Sequence, residues 1–211
     1  MSHVGIRVET LAQNSLSQDF SAKPSAGARV PRDALSTAQD LSQLSSGGSL
    51  CAPAAFLDEA YLSRRLTEAL TPAVMLEGLG DKACLDVFVA VLQSDGGAFN
   101  AAAIGASLAL ADAGVGLRDL VCTASAAVVE TEGAGEKVTW QAIADPTEEE
   151  ILGAAGLVTI AMMPSWREVT VWDQCGKMSL EASSEAMDLA RDGCATLHKL
   201  LKNCLVNEKV R

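Results

Sequence analysis

Three clusters of side chains in this 211-residue chain are of the right type and spacing to do chemistry. The first is Ser94-Asp95-Gly96-Gly97, placed directly before an alanine-rich stretch. Glycine tolerates φ > 0 and aspartate bonds to nearby backbone, so these four residues read as a tight turn. A turn that opens a helix presents unpaired backbone N–H groups, and such a terminus binds anions. Gly97 is therefore the candidate for phosphate or RNA contact, although no G-x-G-x-x-G or G-K-[ST] pattern accompanies it. The second is the acidic run Glu148-Glu149-Glu150. Carboxylates can transfer protons or hold magnesium. The same three acids also suit the positive end of a solvated helical turn. The third is Arg64-Arg65, which could touch RNA phosphates or simply line an exposed helix face.

Other combinations carry less. Ser94 and Asp95 with His198 have the residue types of a nucleophile–base pair, but no spacing supports it. The two histidines, His3 and His198, stand apart and the six cysteines form no CxxC pair, so neither a metal site nor a cofactor is expected. Cys84 and Cys122 fall in apolar runs and behave as small hydrophobes. With no signal peptide read at the start, the cysteines suggest a reducing compartment. Among the tryptophans, Trp172 sits in a strand-like run and is expected in the core. Trp166, just after Pro164-Ser165, is the candidate for a partner surface.

These side chains need elements to position them. Cys84 to Gln93 is an apolar run interrupted only by Asp86, which fits a strand covered on both faces. Ala101, Ala102, Ala103, Gly105, Ala106, Ser107, Ala109 and Ala111 then make a small-faced helix that can lie close to a sheet. A second buried strand follows over residues 117–129. Earlier, residues 4–11 alternate as a strand, and Leu57, Tyr61, Leu62, Leu66, Ala69 and Leu70 predict a helix from about Ala54 to Val74, ended by Pro72. Later, a loop over 132–136 precedes a strand over Val138–Ala144. Leu157–Met163 and Glu168–Gln174 pair around Pro164-Ser165. Ser179 caps a last helix whose apolar stripe runs to about residue 206. The composition of residues 12–53, rich in Ser, Ala, Gln, Gly and Pro, predicts a mobile segment.

Hydrophobic residues make up 49% of the chain but aromatics only 4%, so small aliphatic side chains must build the core. The formal net charge of −11 argues against an independent nucleic-acid binder, which needs a basic face for counterion release. A subunit whose partners supply the positive surface remains compatible with it. No apolar run is long enough to cross a membrane, so no membrane partner is expected.

The stretches LDVFVAVLQSDGG, SLALADAG and LRDLVCTASA, followed by ADPTEEE and LVTIAMMPSWREVTVWDQCGKM, resemble the RNase PH family of phosphate-dependent exoribonucleases and the RNase PH-like ring subunits of the RNA exosome. The resemblance covers roughly residues 55–208. Among the ring subunits it is nearest to the messenger-RNA-transport-three type, on residues 144–150, LVTIAMMPSWREVT and the C-terminal KLLKNCL. It implies an α+β, RNase PH-like fold with a βαβα two-layer core that lacks the family's first strands. The implied layout is a residual strand over 1–11, the mobile segment over 12–53 and the RNase PH-like core over 54–211.

In active relatives the turn before the small-faced helix carries glycine-threonine-arginine, where arginine and helix terminus bind phosphate together. Here it reads Gly97-Ala98-Phe99. The same register places Ile151 and Leu157 where two acids would stand, and neither can ionise or coordinate magnesium. The resemblance thus implies a non-catalytic subunit with no catalytic residues of its own. Its implied partners are other RNase PH-like exosome subunits and RNA-binding cap subunits, with RNA met indirectly through the ring channel. The implied process is 3′-to-5′ RNA processing and degradation, including ribosomal RNA maturation, in nucleus, nucleolus and cytoplasm. The rival readings are an active phosphate-dependent 3′-to-5′ exoribonuclease and a truncated isoform outside any ring.

Overall fold

The computed structural model describes residues 5–12, 59–75, 77, 84–132 and 138–208. Its elements are β1 (Gly5–Ala12), α1 (Glu59–Leu70), β2 (Cys84–Val91), α2 (Ala98–Asp112), β3 (Cys122–Glu132), β4 (Val138–Ala144), α3 (Glu148–Gly153), β5 (Gly156–Met163), β6 (Glu168–Gly176) and α4 (Leu180–Glu208). The expected mobile stretch beyond Ala12 lies outside the described residues, as does the loop expected at 132–136 past Glu132.

Four strands form one antiparallel sheet in the order β4-β3-β5-β6, while β1 and β2 pair in parallel as a separate ribbon. Alternation decides what each face of the large sheet meets. Val158, Ile160 and Met162 of β5 point to one face with Cys122, Ala126 and Val128 of β3, and α4 covers them through Ala182, Ala186, Ala190 and Cys194. Ala161 and Met163 point to the opposite face with Val121 and Val171. There Leu66, Ala69 and Leu70 of α1 and Ala102, Ala103, Ala106 and Leu110 of α2 close the core. Helices thus cover both faces of the sheet, and β5 is buried along almost its whole length. The alanines of α2 are what let it lie against β3. The expected start of the second strand near Arg118-Asp119 is instead a bend, with β3 beginning at Cys122.

Two burial expectations are corrected. β2 alternates exposed and half-buried residues rather than being covered twice. Leu85, Val87 and Val89 pack on the α1–α2 core, but Phe88 is 67% exposed because no described element lies over the other face of the β1–β2 ribbon. Trp172 is 57% exposed rather than core. It pairs with Ile160 and so shares the face that α4 covers, but α4 packs chiefly on β3, β4 and β5 and reaches β6 through the Ser183–Gln174 hydrogen bond, which leaves Trp172 uncovered.

Candidate functional site

The turn Ser94-Asp95-Gly96-Gly97 docks on the β4–α3 connection. Gly96 adopts φ +88, and a Cβ there would stand 2.7 Å from the Pro146 carbonyl oxygen and 2.9 Å from Ile151 Cδ1. Only glycine fits this approach. Asp95 Oδ1 accepts the Glu148 backbone N–H at 3.1 Å, which ties the turn to the start of α3. Thr147 and Glu150 form a reciprocal capping box on α3, with Thr147 N–H donating to Glu150 at 2.8 Å. Glu148, Glu149 and Glu150 are therefore the first turn of a capped helix, and Glu150 is spent on the cap.

The sheet, α1, α2 and α3 enclose a pocket beside this turn. Phe99, Ile151, Leu157 and Val171 supply its apolar wall. Ile151 and Leu157 are 2% and 5% exposed and pack with Ala127. Across the floor runs a polar chain: Asn100 Nδ2 donates to Ser125 Oγ at 2.8 Å, and the Ser125 and Thr159 hydroxyls hydrogen-bond each other at 2.8 Å. Register explains the second link, because Ser125 and Thr159 are direct cross-strand partners. At the mouth, the Tyr61 hydroxyl and the Arg65 guanidinium both donate to Asp173 Oδ2. Burial alone would raise the Asp173 carboxyl, but the Tyr61 and Arg65 donors outweigh it and hold it below the usual carboxylate range. Burial first, then Asp173, pushes the Tyr61 hydroxyl up. The three residues latch α1 to β6.

Gly97 stands before α2 with φ −103, and no side chain caps the helix. The anion-type terminus is present, but among the described residues neither Lys, Arg nor His lines the adjoining groove and only Arg65 lines the pocket. Arg64 is exposed and stacks on the Tyr61 ring at 5.9 Å. Arg65 is not a free RNA contact: it is paired to Asp173 and, at 3.0 Å, to Glu68. Trp166 is 62% exposed at the β5–β6 turn, its Nε1–H donating to the Arg118 carbonyl at 3.3 Å. That placement agrees with a partner surface without testing it.

His198 engages Asp119 rather than Ser94. Asp119 accepts the Ser165 N–H at 2.7 Å, the Ser165 hydroxyl at 3.1 Å and His198 Nε2 at 2.9 Å. Since an ionised carboxylate only accepts, Nε2 carries the proton. Ser165 donates to Asp119 and not to the imidazole, so the three residues do not form a nucleophile relay. They brace the start of β3 against the β5–β6 turn and α4. Burial pushes the Cys122 and Cys194 thiols up to about 12, which makes them poor nucleophiles. Cys84, Cys122, Cys194 and Cys204 are free, whereas Cys175 is disulfide-bonded. Among the described residues no His, Cys, Asp and Glu cluster could hold a metal, and no helix is long and apolar enough to cross a membrane.

Sequence reasoning missed the Tyr61–Arg65–Asp173 latch, the Asn100–Ser125–Thr159 chain and the Asp119 cluster. Each joins residues far apart in the chain, and a lone polar residue in an apolar run, such as Asp119 or Ser125, was the only trace of them.

The model of the 3′ exoribonuclease family, domain 1, matches residues 21–116. The chain is 40% identical over 157 residues to the human protein named exosome complex component MTR3, covering 74% of this chain and 55% of that one. It is 36% identical over 157 residues to exosome complex component Rrp41 of Nitrosopumilus maritimus, covering 74% and 60%. The chain thus spans somewhat more than half the length of these relatives. The crystal structure of rice (Oryza sativa) Rrp46 superposes with a TM-score of 0.64 at 13% identity, covering 95% of this chain and 73% of that one, a likeness of fold.

Proposed function

Because this chain belongs to the RNase PH-like family of exosome components, we propose that it is a non-catalytic structural subunit of an RNA exosome ring. One observation carries the reading. Phe99, Ile151 and Leu157, which the family resemblance sets at the phosphate-binding arginine and the two acids, all line a single pocket next to the helix terminus. Phosphorolysis requires a cation for inorganic phosphate and carboxylates for proton transfer or magnesium. An apolar wall of two aliphatic side chains and an aromatic ring supplies none of these. The subunit's contribution is then packing and channel wall. Its partners are other RNase PH-like subunits and RNA-binding cap subunits, with RNA reaching it only through the channel. Its process is 3′-to-5′ RNA processing and degradation, ribosomal RNA maturation included, in nucleus, nucleolus and cytoplasm.

The test incubates the purified chain, alone and with its ring partners, with a 3′-labelled RNA, inorganic phosphate and magnesium. No nucleoside diphosphate should be released by the chain alone, and no loss should follow when Phe99, Ile151 or Leu157 is replaced within an assembled ring. Release by a nuclease-free preparation of the chain would establish the active exoribonuclease reading instead. Native mass spectrometry of the endogenous complex tests ring membership separately, and recovery of this chain only as a free monomer would overturn it.

A further inference from the structure

The β5–β6 connection departs from regular geometry twice, and both departures bring side chains to one place. The chain turns through Pro164-Ser165, the Trp166 N–H donating to the Met163 carbonyl at 3.2 Å and the Arg167 N–H to the Pro164 carbonyl at 3.3 Å. Arg167 then adopts φ 56, a left-handed conformation that glycine or asparagine holds more easily. Such an outlier points to use rather than to stability. Further on, the register shifts between Ala161 and Met162, so Val169 pairs with Met162 and Trp172 with Ile160. In a regular strand residues three apart face opposite sides. The shift instead puts Val169 and Trp172 on one face, that of Ile160 and Met162, and both are exposed. Trp166 is exposed at the head of this strip. Its Nε1–H is spent on the Arg118 carbonyl, which holds the indole and leaves the ring for contact. Arg118 and Arg167 are exposed beside it, and among the described residues neither makes an ion pair. Lys202 reaches the same turn, donating to Ser165 Oγ at 3.2 Å and standing 4.0 Å from Asp119, whose charge it offsets. Glu168 is exposed next to Arg167 and opposes the arginines only in part.

We propose that this turn and strip dock an acidic segment of a protein partner, with its carboxylates at Arg118 and Arg167 and its apolar side chains on Trp166, Val169 and Trp172. Charge selects the occupant. Beyond about 8 Å salt screens the rest of a chain of net charge −11, so the local arginines decide what sits here. A guanidinium takes a carboxylate through paired N–H donors. RNA has the same sign of charge but suits the surface less. Two or three cations release few counterions, and the strip leading away from them is apolar. The proposal goes beyond ring membership. Its test uses the full chain without ring partners, so it can fail while the ring reading stands.

The probe is a short acetylated, amidated peptide of alternating aspartate and valine, titrated into the isotope-labelled full chain. Its control carries asparagine for every aspartate, equal in shape but uncharged. The three tryptophans each give an indole N–H resonance, so the spectrum reports the site directly. Saturable shifts at Trp166 and Trp172 are expected, with Trp140 unmoved because β4 lies at the opposite edge of the sheet. The asparagine peptide should bind at least about tenfold more weakly. The double variant Arg118→Gln, Arg167→Asn should lose about as much. Asparagine suits the left-handed φ at position 167, so the melting temperature should hold or rise while binding falls. Arginines kept only for the fold would not separate those two readouts. Equal affinity of the two peptides, binding unaltered in the double variant, or shifts of the same size at Trp140 would overturn the proposal. So would the absence of any shift, or a uridine oligomer that moves the same resonances at lower concentration than the acidic peptide.

Discussion

At Asp119 three donors converge on one buried carboxylate, and the physics of that convergence fixes the acid stability of the chain. Burial alone would raise its pKa. The Ser165 N–H, His198 and the Ser165 hydroxyl reverse this and hold Asp119 below the usual carboxylate range. A carboxyl whose folded pKa is depressed contributes stability that is present above its unfolded pKa and lost as pH falls through the folded one. The window therefore lies below roughly pH 4. Asp119→Asn is expected to cost about 2–3 kcal/mol at neutral pH, the worth of hydrogen bonds to an ionised acceptor. It should also flatten the fall in stability over the acid window. Urea unfolding at a series of pH values compares the two slopes, and equal slopes would show that Asp119 is not an ionised acceptor. His198, isolated in the sequence, finds its role here as a donor to structure.

Between elements, the 94–97 turn is held closely against the start of α3. Gly96→Ala would place a methyl group 2.7 Å from the Pro146 carbonyl while holding a residue at φ +88. Backbone strain of this kind costs about 1–3 kcal/mol, before the clash with Ile151 is added. Gly105 in α2 is the contrasting position, with nothing within 4 Å of an added Cβ. Gly105→Ala should stabilise by about 0.5–1 kcal/mol through helix propensity. Chemical denaturation of the two variants checks both signs together. Losses of the same size at both positions would mean that the turn is not docked as described. α4 packs chiefly on β3, β4 and β5, and β6, at the margin of its contacts, carries the exposed Val169 and Trp172.

At the scale of the whole molecule, the described elements leave several large apolar side chains uncovered in a chain of net charge −11. Exposed Phe88, Trp166, Val169 and Trp172 lie in or beside strands, where apolar surface and unpaired edges invite association. Trp166 tests whether that association is a specific one. It is 62% exposed, so Trp166→Ala should leave the melting temperature of the free chain nearly unchanged. A buried aromatic anchor is worth about 2 kcal/mol or more to an interface. Co-expression with neighbouring RNase PH-like subunits should then yield markedly less complex for the variant. Complex formation equal to that of the natural chain would assign Trp166 to solvent.

Local periodicity in the sequence determined much of the fold. β4 begins and ends at the expected residues, β5 and β6 pair about Pro164-Ser165, and the Ser179 hydroxyl accepts the Ala182 N–H at 3.2 Å at the start of α4. These features are set within a few residues of one another, by side-chain alternation, turn residues and caps. Burial was legible only where neighbours are local. An apolar run such as residues 84–92 states that a strand is favourable, but only the layering of helices decides which faces are covered, and it left Phe88 and Trp172 outside. The candidate site divides in the same way. That Phe99, Ile151 and Leu157 are uncharged is visible in the chain. That they share one wall depends on α2, α3 and β5 meeting around Gly96. The arginine of the Arg64-Arg65 pair that pairs with Asp173 and the acceptor that holds His198 both rest on contacts across long separations in sequence. Periodicity has no reach over such distances, and only tertiary packing could decide them.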